Sequence, residues 1–194
     1  MRTERVTAGD ALLVVDVQND FLPGGSLAVS EGDRILPVIN RYIEKFHTLG
    51  YPVYLTRDWH PPDHASFRNQ GGPWPAHCVA DMPGAEFSAA LALPEAVQVI
   101  SKGVRRESEG YSGFEDTDLQ ARLERAGIRR LFVAGLATDY CVLNTVLDAL
   151  KRGYAVFLLQ DAVRAVDVVA GDGDKALQTM RRHGAFLIDE GRLA

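Results

Sequence analysis

Five polar residues stand at or just beyond the ends of apolar runs in this chain, and their types suit one kind of chemistry. Asp16 follows the run 11–15, Asp58 and His60 follow 51–56, Lys102 follows 97–101, and Cys141 lies just past 131–135. A cysteine is the most nucleophilic of these groups, and it needs a base to take its proton and a cation to favour the thiolate. Asp16 and Lys102 supply that pair, a carboxylate to accept the thiol proton and an ammonium to lower the thiol pKa. Asp58-x-His60, with His64 and His77 further along, offers oxygen and nitrogen donors to a divalent metal of borderline softness, with zinc first and iron or manganese as alternatives. Pro61 and Pro62 rule out a helix there, so His60 and His64 do not share a helical face. Each residue alone has a commoner use: a carboxylate caps a turn, a lysine is a solvated charge, a loop histidine faces water, a cysteine packs as a small hydrophobe. The weight comes from their recurrence at successive strand ends.

The elements that must position them read as alternating strands and helices. Strands are predicted at 11–15, 51–56, 97–101, 131–135, 154–159 and 185–188, the first a continuous apolar run of the kind buried on both faces of a parallel sheet. Helices are predicted from Gly32 or Asp33 to His47, from 117 to 126, from the Cys141 turn to Gly153, and from 174 to 183. The expectation is a three-layer α/β fold, a central parallel β-sheet of about six strands with helices on both faces, as one domain over 1–194. Ligands in such sheets bind beyond the carboxyl ends of the strands, where these residues stand. Thr138 or Asp139 is the expected N-cap of the cysteine helix, and a thiol in that first turn is expected to have a depressed pKa. Residues 61–92 are rich in Pro, Gly and His, and a loop of that length in a compact domain is commonly functional.

Composition narrows the class. With 46% hydrophobic residues, 24% charged and a net charge of -5, the chain lacks the basic face that phosphate neutralisation needs, so no nucleic-acid partner is expected. No apolar run approaches the roughly twenty residues that cross a bilayer, so no membrane partner is expected either. Two cysteines and a polar start without an apolar signal segment predict a reducing, cytoplasmic setting. A small-molecule substrate is the remaining expectation, with homo-oligomerisation left open.

In order along the chain, Asp16-Val-Gln-Asn-Asp20-Phe21, Gly24-Gly-Ser-Leu27, Asp58-Trp-His60, Trp74-Pro-Ala-His77-Cys78, Lys102-Gly103, Tyr111-Ser-Gly-Phe114 and Ala137-Thr-Asp-Tyr-Cys141-Val resemble the motifs of the isochorismatase-like cysteine hydrolases, the nicotinamidases in particular. The resemblance spans Leu12 to about Ala162. It implies the isochorismatase-like hydrolase fold and the conversion of nicotinamide and water to nicotinate and ammonia, a step of NAD salvage, with pyrazinamide accepted as well. It further implies a thioester on Cys141, Asp16 as general base and acid, Lys102 as charge partner, and one divalent metal on Asp58, His60 and His77. A cis peptide between Leu136 and Ala137 and an oxyanion hole from the N–H groups of Ala137 and Cys141 belong to the same pattern. Phe21, Leu27, Trp74, Tyr111 and Leu136 match the residues that bind the substrate ring. His64 is expected outside the ligand set, Cys78 in the core, and Asp20 and Asp161 as holders of loops.

Overall fold

The computed structural model describes residues 3–194. Its strands are β1 (Asp10–Val15), β2 (Val53–Asp58), β3 (Gln98–Lys102), β4 (Arg130–Leu136), β5 (Ala155–Arg164) and β6 (Phe186–Ile188). The helices are α1 (Leu36–Thr48), α2 (Leu119–Arg125), α3 (Leu143–Lys151) and α4 (Asp172–Arg182). All neighbouring strands pair in parallel, in the order β3-β2-β1-β4-β5-β6. The order reverses between β1 and β4, and that break opens a crevice at the carboxyl edge of the sheet.

Every residue of β1 is buried, as its apolar run requires at the centre of a covered sheet. Its alternate side chains serve two cores. Leu12 and Val14 pack with Ile39, Ile43 and Phe46 of α1, whereas Leu13 and Val15 pack with Leu123 of α2, Val146 of α3 and Met180 of α4. The sheet is therefore the middle of three layers, with α1 on one face and the other three helices on the opposite face. Asp10, buried at the start of β1, is held by Arg130 at the start of β4 through contacts of 2.7 Å to each carboxylate oxygen. That paired geometry keeps a charge at the sheet's amino edge in register with its partner strand.

Two boundaries differ from the sequence reading for local reasons. Gly32–Ile35 form a 3-10 turn, and the α-helix begins only at Leu36, with Pro37 in its first turn where the missing N–H costs nothing. β5 runs past Leu159 to Arg164 because its pairing with β4 breaks and then resumes, Val133 opposite Leu158 but Gly135 opposite Val163. The intervening residues bulge outward, and Asp161 there accepts the Tyr42 hydroxyl at 2.9 Å and the Glu190 N–H at 3.0 Å. Asp161 thus ties α1 and the C-terminal turn to the bulge, the loop-holding role expected of it.

Gly135, at φ +117, lies so close to β1 that an added Cβ would fall inside the contact radius of the Val15 carbonyl oxygen. Gly135→Ala must part the two central strands, and a loss on the order of 3 kcal/mol is expected from strain and overpacking together. Gly127, at φ +67 but with open space around it, is the control, and Gly127→Ala should cost about 1 kcal/mol. Thermal melts of the two variants check this, and equal shifts would contradict the close approach.

Candidate active site

Three of the five residues named at strand ends, Asp16, Asp58 and Cys141, converge on the ammonium of a fourth, Lys102. Lys102, the last residue of β3, is fully buried, and its Nζ lies 2.7 Å from Asp16 Oδ2, 2.5 Å from Asp58 Oδ1, 2.6 Å from the Gly110 carbonyl and 3.4 Å from Cys141 Sγ. Asp16 directly follows β1 with φ +49, a turn that swings its carboxylate under the crevice. Its Oδ1 accepts the Thr56 hydroxyl at 2.6 Å. Oδ2 meets the Lys102 ammonium as a buried ion pair. Asp16, Asp58 and Cys141 each bring one donor atom within 4.8 Å of the others.

Burial and charge compete at each of these groups. Burial pushes the Asp16 carboxyl above its ordinary value, and Lys102 only partly opposes this. At Asp58 burial pushes the same way, but Lys102, helped by His60 and His77, more than reverses it and holds the carboxylate ionised. Burial would lower the Lys102 pKa, yet the two carboxylates raise it well above the usual lysine value, so the ammonium stays charged. Burial pushes the Cys141 thiol well up, against the pull of Lys102. That runs against the sequence expectation of a depressed thiol pKa: desolvation outweighs the helix end.

The turn holding Cys141 also departs from expectation. Thr138–Val142 form a π-helical turn ahead of α3, and neither Thr138 nor Asp139 caps it with its side chain. The Ala137 carbonyl instead receives the N–H groups of Tyr140 and Val142, both at 3.1 Å. The Leu136–Ala137 peptide is cis, as the resemblance implied. Asp139 reaches across to the loop after β5 and accepts two backbone N–H groups there.

Beside this cluster, Asp58, His60 and His77 bring one donor atom each within 4.8 Å of one another, all buried. His60 Nδ1 lies 2.9 Å from the Gly103 carbonyl and His77 Nδ1 lies 2.8 Å from the Pro75 carbonyl. Each ring must donate its Nδ1 hydrogen there, which leaves both Nε2 lone pairs for a metal. His60 Nε2 stands 3.5 Å from Asp58 Oδ2. An imidazole pair with one carboxylate, oriented by backbone carbonyls, fits a divalent ion such as zinc. His64 stands outside the set. It stacks on the His60 ring at 4.0 Å, and its Nδ1 meets the Ser66 hydroxyl and N–H.

Above both clusters lies a narrow cavity of about 40 Å³ lined by Phe21, Leu27, Asp58, Trp74, His77, Tyr111, Ala137, Tyr140, Cys141 and Val166. Four of the five ring-binding residues inferred from the resemblance are thus brought together. Leu136 is not among them: its side chain is buried in the core beneath α1, because at the end of a fully covered strand it points away from the crevice. Trp74 donates its Nε1–H to the Tyr111 hydroxyl at 3.0 Å and packs edge-on against Tyr140. Tyr140 and Val166 were missed from the sequence. Tyr140 had a signal, its place beside Cys141, whereas Val166 sits in an unpatterned stretch. Gln18 was missed too, and it locks the end of β2 by donating to the Asp58 carbonyl at 2.8 Å and accepting the Asp58 N–H at 2.8 Å. Cys78 is fully buried, and Asp20 holds its N–H at 2.7 Å, as core packing and loop holding predict.

Removing the central cation leaves two carboxylates buried without a counter-charge, so Lys102→Met should cost about 3–5 kcal/mol. It should also deprive the Cys141 thiol of the group that favours its ionisation. In the folded variant, alkylation by iodoacetamide at fixed pH should be slower by roughly tenfold or more. Unchanged alkylation would separate Lys102 from the thiol's reactivity.

Residues 10–190 match the isochorismatase domain family. The chain is 40% identical to the nicotinamidase of Escherichia coli (strain K12), over 91% of this chain and 93% of that one. Among solved structures, the pyrazinamidase of Pyrococcus horikoshii in complex with zinc is 49% identical and superposes with a TM-score of 0.90, covering 93% of this chain and 99% of its own. A protein from L. infantum in complex with nicotinate is 38% identical with a TM-score of 0.92, covering 100% of this chain and 99% of its own. On these matches, and with the sheet order and strand-end cluster described, the chain belongs to the isochorismatase domain family.

Proposed function

We propose that this protein is a nicotinamidase, a metal-dependent cysteine amidohydrolase that converts nicotinamide and water to nicotinate and ammonia and also accepts pyrazinamide. The observation that carries the reading is the buried Lys102 ammonium, 3.4 Å from Cys141 Sγ and 2.7 Å from Asp16, beneath a narrow cavity walled by Phe21, Trp74, Tyr111 and Tyr140. Support comes from the nicotinamidase of Escherichia coli at 40% identity and from the L. infantum structure, whose ligand is nicotinate. The product acid feeds the resynthesis of pyridine nucleotides, so the reaction is a salvage step.

Asp16 takes the thiol proton, and the burial that raises its carboxyl makes it a stronger base than a solvated carboxylate. The sulfur attacks the amide carbon, forming a C–S bond, and the N–H groups of Ala137 and Cys141 hold the oxyanion that develops. Asp16 returns the proton to the amine, the C–N bond breaks, and ammonia leaves a thioester on Cys141. Water then attacks the thioester with Asp16 as base; the C–S bond breaks, nicotinate forms, and the sulfur recovers its proton through Asp16. Lys102 stays charged throughout and keeps Asp16 and the thiolate paired. Phe21, Leu27, Trp74 and Tyr111 hold the flat ring by contact and exclude water.

Asp58, His60 and His77 would hold one divalent ion, zinc by preference; the P. horikoshii protein is in complex with zinc. When bound, that ion would supply a Lewis-acidic anchor for a ring nitrogen or a water.

Cys141→Ala should abolish ammonia release from nicotinamide while the fold and metal content persist; more than a trace of remaining turnover would remove Cys141 as the nucleophile. Elemental analysis should find the metal depleted in His60→Ala and in His77→Ala and retained in His64→Ala. Full occupancy in both of the first two would overturn the ligand set.

A further inference from the structure

One wall of the cavity comes from a loop that contributes nothing to the strand-end cluster. Val166, two residues past β5, lines the cavity. Two carboxylates fix its backbone. Asp139, in the nucleophile turn, accepts the N–H of Val166 through Oδ1 and the N–H of Asp167 through Oδ2, both at 2.9 Å. Asp167, at φ +52, in turn accepts the Gly173 N–H at 2.8 Å in the first turn of α4. Gly173 packs so tightly there that an added Cβ would stand 2.6 Å from Ala165 Cβ. The segment 165–167 is therefore bound at one end to the turn that carries Tyr140 and Cys141, and at the other to α4. Just beyond it, Val168 and Val169 are 62% and 60% exposed.

A bidentate carboxylate is a stiff link, because both oxygens must be satisfied by two successive backbone donors held at fixed spacing. The cavity is narrow and Val166 is one of the residues that line it, so a wall that cannot retreat limits what enters on that side. We propose that Val166, clamped by Asp139, is the size filter of this cavity and excludes amides whose ring carries a substituent on the side facing Val166. Asp139 acts as a positioning residue through Val166. The substrate identity rests on the nicotinamidase reading, whereas the clamp does not.

The test measures kcat/KM for nicotinamide and for the four ring-methylated nicotinamides with wild type, Val166→Ala, Asp139→Asn, Asp139→Ala and, as a control outside the clamp, Val168→Ala. Amide hydrogen exchange at Val166 and Asp167 is read on the same proteins. Val166→Ala removes two methyl carbons from the wall, and at least one methylated amide should gain tenfold or more relative to nicotinamide. Asp139→Ala should erode the same selectivity and speed exchange at both amides. Asp139→Asn, which keeps one acceptor oxygen, should fall between it and wild type, and Val168→Ala should match wild type. A wild type that releases no ammonia from nicotinamide would sink the nicotinamidase reading, and exchange at Val166 and Asp167 would still decide the clamp. An active wild type whose selectivity is unmoved in Val166→Ala, or whose two amides exchange no faster in Asp139→Ala, overturns the filter.

Discussion

A lysine ammonium buried between two carboxylates organises this protein. Taking Lys102 wholly out of water is costly, and only the near contacts to Asp16, Asp58 and the Gly110 carbonyl make the charged form stable there. Those partners arrive on three different segments, so the ion cluster exists only while β1, β2 and β3 hold their parallel register. The same desolvation that makes the pair expensive raises the Asp16 carboxyl and the Cys141 thiol together. Lys102 opposes both shifts, so the two buried groups share one counter-charge.

Asp58 joins the two halves of the site. One of its oxygens pairs with Lys102 at 2.5 Å, and the other faces His60 Nε2 at 3.5 Å. The carboxylate that joins His60 and His77 in the candidate metal-binding group is thereby also part of the charge balance around Cys141. Gln18 holds the backbone of Asp58 through both its amide oxygen and its amide nitrogen, so the shared residue is fixed from behind as well. Disturbing either half is transmitted to the other through this one side chain.

The sheet order explains why the site can be assembled at all. β1 and β4 are neighbours from which the chain departs to opposite sides, so Asp16 and the Cys141 turn flank the crevice at the break in strand order. Gly135 permits the two strands to approach there, and the cis peptide that follows begins the turn. The long segment between β2 and β3 contributes Trp74 and His77, and its irregularity suits a wall shaped around a small ring rather than a packed helix face.

Much of this was legible in the residues. The uninterrupted apolar run of 11–15 marks a buried parallel strand, because only a strand covered on both faces tolerates no polar alternation. Polar groups at successive strand ends marked the rim where the structure gathers them around Lys102, and Asp58-x-His60 marked two of the three residues whose donor atoms lie within 4.8 Å of one another. What residue order could not decide was everything set by packing across the fold. The resting state of Cys141 depended on how deeply the thiol is buried, a tertiary quantity that outweighs its place near a helix end. Leu136 turned inward because the face a strand residue presents depends on which layers cover it. Asp139 left the helix it precedes and bonded residues 27 and 28 positions away, since its two acceptors are satisfied better by adjacent backbone N–H groups than by a cap. Val166, whose N–H is one of those two, lines the cavity. Local sequence determined which strands form and which groups end them; long-range contacts decided ionisation, side-chain direction and the shape of the cavity, because each depends on neighbours far away in the chain.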